Sequence, residues 1–351
     1  MPTGFSSAPA PLRLSLDTAA LEHNWRWLAQ MSGRATCGAA IKANGYGLGA
    51  AEVMGHLSQA GCRDFFVATW AEARALLPLA DGLSLSVLHG IRNEDLAEAL
   101  TSPARPVLST PDQIARWRNA NGGPCDVMVD TGMNRLGLDW RSDVAQATGG
   151  LNIITLMSHL ACADDDNPLS AIQQRRFAAI AQQVPAERYS LSNSAGICLG
   201  SDYHFGVTRP GLALYGGVPR PNAAGHIRQV VTPQAQVLQR RTVQAGDTVG
   251  YNATFTATRD MAAAILNIGY ADGYLRGFSG RGMVLAGDRP LPVLGRVSMD
   301  LLIVDASLAP DISEGDWLSI DYDLPRAAAA SGLSQYELLT GLGQRFDRIW
   351  T

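Results

Sequence analysis

A lysine near the N-terminus is the residue best suited to covalent chemistry in this sequence. Lys42 directly follows the apolar run ATCGAAI of residues 35–41 and precedes the glycine-rich stretch NGYGLG of residues 44–49. A lysine ammonium, with a reference pKa of about 10.4, is a poor nucleophile until burial or nearby cations lower that pKa. The apolar run supplies burial, and the glycines let the backbone approach a phosphate group closely. The pattern predicts an imine-forming lysine beside a phosphate site.

Four later apolar runs also end in polar side chains that could act on a small molecule. They are VDTGMNRLG with Asp130 and Arg135, LMSHL with His159, LSNSAG with Asn193 and Ser194, and VTRPG with Arg209. A polar residue is common wherever one strand meets solvent, but five such ends on one face indicate a site. Ser194 precedes a helical turn whose N–H groups could bind an anion, and Arg209-Pro210-Gly211 could complete that cradle.

Eight short apolar runs, alternating with amphipathic stretches, would have to position these residues. The runs cover residues 35–41, 65–69, 85–89, 106–109, 126–130, 153–159, 189–192 and 205–208, and the helical stretches include 18–30, 50–59, 71–79, 111–119 and 170–183. Eight alternations within about 200 residues predict an α/β fold, a closed eight-stranded parallel β/α (TIM-type) barrel with its active site at the carboxyl ends of the strands. An open doubly wound sheet has the same periodicity and stays as the alternative.

The remainder of the chain has a different pattern. PRPNAAG, at residues 219–225, is typical of a linker, and short alternating strands separated by Gly-Asp turns follow it. This pattern predicts a C-terminal, mostly antiparallel β domain with a last helix at residues 334–343. We therefore expect a barrel domain over residues 12–220 and a β domain over residues 226–351, which agrees with the two domains that 351 residues suggest.

Composition favours small molecules as partners. The net charge is −4, so the chain has no overall basic field for nucleic acid or an anionic membrane. No apolar run approaches the ~18 residues needed to span a bilayer, and the N-terminus lacks a secretory signal pattern. The five cysteines form no CxxC pair and the six histidines show no ligand spacing, so we expect a cytoplasmic protein without a metal site.

Nine motifs resemble, in order along the chain, the landmarks of the alanine racemase family. They are IKANGYGLG, VDTGMNRLG, MSHLACADD, NSAG, TRPGLALYG, GYNATFTA, GYADGY, GRVSMD and SQYELL, and they span residues 41–339. The resemblance implies a pyridoxal-phosphate enzyme that racemises L-alanine to D-alanine, built as a barrel followed by a β domain. It also implies a homodimer whose active sites are shared between subunits.

The resemblance assigns two bases to the reaction. Lys42 carries pyridoxal 5'-phosphate and is the base on one face of the substrate, and Tyr251, reaching in from the partner subunit, is the base on the other face. Two bases suit a reaction that removes and delivers a proton on opposite faces of one carbon. Outside the family motif, the usual role of a tyrosine such as Tyr251 would be that of a half-buried strand aromatic.

Arg209 and His159 support these bases in the resemblance. Arg209 faces the pyridine nitrogen, where most pyridoxal-phosphate enzymes have a carboxylate. A guanidinium cannot accept a hydrogen bond from a protonated ring nitrogen, so the ring stays neutral and transamination is disfavoured. His159 links Arg209 towards Tyr251, although a core histidine with satisfied hydrogen bonds is the ordinary alternative for this residue.

The remaining family positions contact the cofactor, the substrate or the entrance. The phosphate contacts correspond to Tyr46, Ser194, Gly211, Leu212 and Tyr336. The substrate positions are Arg135 and Met299 for the carboxylate, the latter through its backbone and from the partner chain, and Tyr270, which narrows the entrance. Arg276 and Arg296 fall where the family has arginines along the entrance, although either could be a solvated surface charge.

Two positions depart from the family pattern. Many relatives carry a carbamylated lysine seven residues before the carboxylate-binding arginine, but here that residue is Met128. Arg135 would then be oriented by a neighbouring amide such as Asn134 or by a bound anion. Leu48 stands where many relatives have a histidine. Neither position carries a base, so the predicted reaction stands while the substrate preference stays open.

Three alternative functions share part of this pattern. A racemase of serine, lysine or several amino acids would have the whole framework. A barrel-type decarboxylase would lack Arg209 and Tyr251 in these motifs, and a non-catalytic pyridoxal-phosphate-binding protein would need no second base. The motifs also leave open whether the reaction serves biosynthesis or catabolism.

Overall fold

The computed structural model describes residues 9–351, which form two compact units. One unit is Ala20–Arg228, and the other is Gln229–Thr351 together with the described residues before Ala20. The first strand, Leu12–Leu16 (β1), belongs to the second unit because it pairs with two strands there. Its sequence LRLSL alternates, and its three leucines are buried. Residues 12–19, assigned to the barrel domain from the sequence, therefore group with the C-terminal unit.

Ten short strands form the barrel unit. They are Thr36–Cys37 (β2), Ala39–Ala40 (β3), Asp64–Val67 (β4), Ser84–Val87 (β5), Arg105–Leu108 (β6), Cys125–Asp130 (β7), Leu138–Asp139 (β8), Ile153–Met157 (β9), Arg188–Ser190 (β10) and Val207–Thr208 (β11). Parallel pairing runs from β3 through β4, β5, β6, β7 and β9 to β10, while β11 pairs with β2 and β8 with β7.

Backbone hydrogen bonds close this series of strands into a ring. The amide of Gly206 donates to the carbonyl of Tyr189 at 2.9 Å, and the amide of Arg209 donates to the carbonyl of Ser192 at 2.8 Å, which joins β11 to β10. β2 and β3 are two halves of one barrel strand, so the ring has eight strand positions, each at a predicted place. The predicted parallel β/α barrel is confirmed, and the closure rules out the open doubly wound sheet.

Nine helical segments alternate with these strands. They are Thr18–Met31 (α1), Lys42–Tyr46 (α2), Ala50–Ala60 (α3), Trp70–Leu76 (α4), Leu96–Thr101 (α5), Pro111–Asn119 (α6), Val144–Thr148 (α7), Leu169–Ala181 (α8) and Ser194–Ile197 (α9). α6 begins as predicted, with a proline in its first turn and the Thr110 hydroxyl accepting the N–H of Gln113 at 3.1 Å. Within residues 9–351, every helix is too short or too polar to cross a membrane.

The barrel interior has an apolar layer that supports the polar layer above it. The apolar cluster consists of Phe66, Val107, Met128, Met157 and Val207, with Leu88 packed against it. Side chains on one face of a strand recur every second residue. Two residues after Met128, Met157 and Val207 come Asp130, His159 and Arg209, which therefore lie on the same face. The polar layer therefore lies at the carboxyl ends of the strands, where the sequence predicted the site.

Nine strands and two helices complete the C-terminal unit with β1. They are Val231–Val243 (β12), Thr248–Val249 (β13), Phe255–Thr256 (β14), Met261–Leu266 (β15), Met283–Ala286 (β16), Arg289–Pro292 (β17), Leu302–Asp305 (β18), Trp317–Ile320 (β19), Leu324–Ser331 (α10), Gln335–Thr340 (α11) and Asp347–Trp350 (β20). The described strands pair antiparallel except for β1 with β20. The predicted antiparallel β domain is confirmed, and its predicted last helix corresponds to α11, which β20 follows.

Candidate active site

Lys42 begins the short segment α2 at the carboxyl end of the first barrel strand. Its side chain is partly buried, and the preceding Ile41 is fully buried. Burial lowers the pKa of the Lys42 amine, and the cations Arg135 and Arg209 lower it further, against an opposing effect of the Glu72 carboxylate. A lowered pKa makes more of the amine neutral and therefore nucleophilic at neutral pH.

Lys42 is also the one lysine among the 28 lysine and arginine residues of the chain. An imine between a side-chain amine and a carbonyl compound can therefore form at this position alone. All the other residues in this count are arginines. The guanidinium of arginine stays charged and does not attack a carbonyl to form an imine. The single lysine is readable from the sequence, although the motifs above do not include it as evidence for the position of the imine.

Arg209 is a fixed cation inside the barrel. It is 6% exposed, and its guanidinium donates to the Ser158 carbonyl at 2.6 Å and to the Ser190 hydroxyl. Its carbon Cζ lies 5.9 Å from the centre of the Phe66 ring. Burial lowers the pKa of Arg209 to about 10, with Asp126 acting in the opposite direction. That value keeps the guanidinium charged at neutral pH.

His159 is neutral in this environment. Burial lowers the pKa of His159 to about 3, and the cations Arg209, Arg135 and Lys42 contribute in that order. The backbone around it is fixed by Gln173, whose amide donates to the His159 carbonyl at 2.9 Å. The pKa effects show that the structure brings together Lys42 and the three other basic residues that the sequence predicted at this mouth of the barrel.

The loop that carries Arg135 wraps around a carboxylate. Asp130 accepts the amides of Gly132 and Met133 at 2.8 Å and that of Arg135 at 2.7 Å. Burial raises the pKa of Asp130, but these amide hydrogen bonds outweigh it and the pKa is lowered. The guanidinium of Arg135 is exposed and makes no hydrogen bond or ion pair with another described side chain, and Asn134 does not bond to it. The backbone of this loop is thus fixed while its cation is left available.

A small group of polar atoms lies at the carboxyl ends of the last two barrel strands. The Ser194 hydroxyl oxygen accepts the amides of Gly211 at 3.0 Å and Ala213 at 3.2 Å. A Cβ atom on Gly211 would lie 2.1 Å from the Tyr46 hydroxyl, so a larger residue there would displace that hydroxyl. The Tyr46 ring stacks on Tyr215 with centroids 4.6 Å apart. These positions, together with the 3-10 helix Leu212–Tyr215, form a cradle of amides and hydroxyls suited to a phosphate.

The other predicted residues belong to the C-terminal unit. The amides of Tyr270 and Ala271 donate to the carbonyls of Ser298 and Met299, each at 3.0 Å, which places Tyr270 next to Met299. The amide of Met299 has no acceptor among residues 9–351, and the side chain is 52% exposed. The residue is therefore able to offer its backbone N–H to a ligand.

Two tyrosines and two arginines of this unit are also at its surface. Tyr251 follows Gly250, whose φ is 75°, and is 66% exposed, while Tyr336 lies in α11 and is 43% exposed. Arg276 stands 5.1 Å from the centre of the Tyr270 ring, and Arg296 is exposed. Within the unit, the structure thus brings Arg276 to Tyr270 and leaves Tyr251 projecting from its own turn.

Comparison with known proteins decides what this arrangement belongs to. Residues 16–219 match the family model of the alanine racemase N-terminal domain, and residues 230–350 match that of the C-terminal domain. The chain belongs to the alanine racemase family. It is 40% identical to an alanine racemase of Acidiphilium cryptum over 96% of this chain and 98% of the relative. It is 42% identical to one of Rhodospirillum rubrum over 95% and 94%.

A solved structure of the family has the same fold. The alanine racemase of Bartonella henselae, crystallised with covalently bound pyridoxal phosphate, superposes with a TM-score of 0.88 at 35% identity and covers 98% of this chain and 100% of its own. The family resemblance that the sequence motifs indicated is therefore confirmed over nearly the whole chain.

Sequence analysis missed the groups that hold Arg209. The Ser158 backbone carbonyl and the Ser190 hydroxyl accept the hydrogen bonds of Arg209. Asp130 was predicted as a polar strand-end residue, but not as the acceptor that organises the loop of Arg135. Ser158 and Ser190 lie beside predicted strand ends, so their position was a signal, but serine is too common there to indicate a partner. Their role depends on which strands are neighbours in the closed ring.

Proposed function

We propose that this chain is an alanine racemase that uses pyridoxal phosphate to interconvert L- and D-alanine. The observation that carries the proposal is one barrel mouth that holds an amine with a lowered pKa, a buried arginine and a cradle of amides and hydroxyls. The relatives named alanine racemase match over the full length of the chain, which supports the same reaction here.

The residues present fit the cofactor. Tyr46, Ser194, Gly211 and Leu212 would hold its phosphate, joined by Tyr336, because the absent side chain of Gly211 lets the Tyr46 hydroxyl lie beside the Gly211 backbone and the Ser194 hydroxyl, which gathers polar groups able to bind a phosphate. When bound, pyridoxal phosphate supplies a carbonyl that captures amines and a ring that stabilises negative charge on the substrate α-carbon. Lys42 would hold it covalently.

Two bases of this chain would move the proton. The Lys42 amine acts on one face of the α-carbon, and the Tyr251 hydroxyl of the opposite subunit acts on the other. The 66% exposure of Tyr251 in a single chain supports a role in a neighbouring subunit and therefore a homodimer with shared sites. His159, neutral at physiological pH, would link Arg209 towards this tyrosine.

Arg209 and Arg135 would set the selectivity of the reaction. A charged guanidinium has no acceptor for a ring N–H, so Arg209 beside the ring nitrogen favours the unprotonated ring and disfavours transamination. The available guanidinium of Arg135 and the backbone amide of Met299 from the partner subunit would bind the substrate carboxylate, and Tyr270 would narrow the entrance. The five free cysteines support a reducing, cytoplasmic location.

A chirality assay tests the proposal. The purified full-length protein is incubated with the L and D forms of alanine, serine and lysine in turn, and the enantiomers are separated. We expect alanine to racemise in both directions at the highest kcat/KM. A protein that binds pyridoxal phosphate but turns over serine or lysine preferentially would replace alanine with that substrate, and decarboxylation products would contradict racemisation.

A further inference from the structure

The backbone directly after Lys42 adopts a left-handed conformation. Ala43, Asn44 and Gly45 have φ values of 53°, 54° and 62°, and Tyr46 has a φ of 54°. Residues with a Cβ atom rarely adopt this region, because the Cβ approaches the following carbonyl oxygen. Three of these four residues carry a Cβ, so something must hold the turn. The turn separates the candidate lysine from the Tyr46 hydroxyl of the phosphate cradle.

A carboxylate from another element contacts this turn. Glu72 lies in the first turn of α4, and its Oε1 accepts the amide of Ala43 at 2.7 Å. Its Oε2 accepts the amides of Ala68 at 2.7 Å and Thr69 at 3.1 Å, which completes a capping box with the Thr69 hydroxyl. One carboxylate therefore joins the start of α4 to the backbone beside Lys42.

We propose that Glu72 is the positioning residue for Lys42, because its carboxylate bridges the start of α4 to the Ala43 amide and holds the left-handed turn. This proposal rests on the proposed function only in taking Lys42 as the functional amine. A capping-box glutamate needs one oxygen for its helix, whereas here the second oxygen is directed to the turn. Without Glu72, the Ala43 amide would lose this acceptor, although it belongs to a backbone conformation that residues with a Cβ atom do not favour.

The charge of Glu72 has a second effect on Lys42. The charged and titratable groups that act on the Lys42 amine are Arg135, Arg209, His159 and Glu72, and Glu72 alone among them is anionic. Removing its charge would leave the cations unopposed. The pKa of Lys42 would then fall further, which displaces the pH at which the amine becomes reactive towards lower values.

Glu72→Gln distinguishes the role of the oxygen that caps α4 from the role of the oxygen that accepts the Ala43 amide. Glutamine is accepted at this position of a capping box, so its carbonyl oxygen can keep the helix cap, while its NH2 group cannot accept the Ala43 amide. Thr69→Ala is the matched control, because it removes the other half of the capping box and leaves the carboxylate on Ala43. The two variants therefore weaken the same helix start by different routes.

Two measurements on the full-length protein, freed of cofactor, report the effect without catalysis. Hydrogen exchange followed by mass spectrometry gives the protection of the Ala43 amide. Acetylation of Lys42 as a function of pH gives its reactivity midpoint, with the N-terminal amine as internal reference, because no other lysine competes. In Glu72→Gln we expect Ala43 to exchange about 3- to 10-fold faster, the effect of one lost hydrogen bond, and the midpoint to move to lower pH.

The control fixes what would overturn the proposal. Thr69→Ala should leave both readouts at wild-type values, so an equal change in both variants would show a capping effect and overturn the positioning role. Unchanged exchange and an unchanged midpoint in Glu72→Gln would also overturn it. If Glu72→Gln does not fold, Ala43→Gly is added, because glycine accepts a φ of 53° without strain. Folding restored by that change supports the proposal, and folding not restored overturns it.

Neither readout depends on the reaction. If the wild-type protein fails to bind pyridoxal phosphate or to racemise any amino acid, the proposed function is wrong, while the exchange and acetylation results still decide the role of Glu72. If racemisation is observed and both readouts stay unchanged in Glu72→Gln, the positioning role is wrong and the function stands.

Discussion

The two units of the chain present their candidate site residues in different ways. In the barrel, Arg209 and Tyr46 are buried at 6% and 6% exposure and are held by hydrogen bonds or ring stacking. In the C-terminal unit, Tyr251, Met299 and Tyr336 are exposed at 66%, 52% and 43%. The barrel unit thus fixes its residues within one chain, whereas the β unit offers its residues at a surface.

This difference agrees with the shared active site proposed above. Residues that bind a cofactor gain from being preorganised, because the cost of ordering them is met during folding. Residues that serve a neighbouring subunit must instead remain accessible until that subunit associates. The proposed roles divide along this line, since cofactor attachment falls to the barrel and the second base to the β unit.

The largest expected effect is the loss of Lys42 from the barrel group. Lys42→Ala removes a proposed base and the sole side-chain amine, so we expect racemisation to fall by a factor of about 10³ or more. Borohydride reduction of the wild-type protein should fix the cofactor on the peptide that contains Lys42, and the variant should carry no label. Lys42→Arg keeps the charge and serves as the control, with the same loss expected. Activity retained in either variant would contradict the assignment.

Mixed dimers test whether the exposed tyrosine serves the opposite subunit. Lys42→Ala and Tyr251→Phe homodimers should each be nearly inactive, because each lacks one base at both sites. In a mixed dimer the two lesions fall in one site and the other site is intact. Random subunit exchange gives about half mixed dimers, so roughly a quarter of the wild-type activity should return.

The same experiment has a definite negative outcome. If both bases came from one chain, every site of a mixed dimer would keep a lesion and no activity would return. Subunit exchange is confirmed separately with differently tagged chains. If no activity returns in exchanged dimers, Tyr251 loses its role in the opposite subunit. The difference in exposure between the candidate residues of the two units then needs another explanation.

The contrast also separates what the sequence could predict from what it could not. The candidate residues His159 and Arg209 follow the apolar positions Met157 and Val207 by two residues, and that period of a strand is readable in the sequence. The pairing of β1 with β12 joins residues more than 200 positions apart, and no local pattern specifies it. The left-handed turn after Lys42 was missed for a related reason, since Glu72 approaches it from another element.

A smaller effect is expected from filling the phosphate cradle. Gly211→Ala places a Cβ atom 2.1 Å from the Tyr46 hydroxyl. Displacing this hydroxyl would remove its hydrogen bond to a charged phosphate, worth about 1.5–3 kcal/mol, so pyridoxal phosphate should bind about 10- to 100-fold more weakly, as measured by titration of the cofactor-free protein. Gly55→Ala is the control, because Gly55 lies in α3 with no heavy atom within 4 Å of the new Cβ. Equal affinity in Gly211→Ala would remove Gly211 from the cradle.

His159 should make the stability of the protein depend on pH. Its folded pKa of about 3 lies below the unfolded value near 6.5, so the unfolded state binds the extra proton between these values. The stabilisation is fully present above pH 6.5 and declines as the pH falls towards 3, by about 1–2 kcal/mol at pH 5. Urea unfolding at pH 7.5 and pH 5 should show this loss in the wild type and a smaller one in His159→Gln, with His23→Gln as control. Equal losses in all three would contradict a His159 that is held neutral in the folded state.

The smallest expected effect is the absence of a response to bicarbonate. It concerns Arg135, a barrel residue that is exposed like the candidate residues of the β unit. Arg135 is exposed, and its guanidinium makes no bond to another described side chain, although Asp130 fixes the backbone of its loop. Met128, the residue seven positions earlier, is 7% exposed and packs in the apolar layer, and the chain has no lysine besides Lys42 that could form a carbamate. We therefore expect racemisation to be the same in bicarbonate-free and bicarbonate-containing buffers at one pH, with potassium chloride as the matched salt. An increase specific to bicarbonate would show that Arg135 needs an anionic partner that the chain does not supply, and the loop around Asp130 would then be insufficient to orient it.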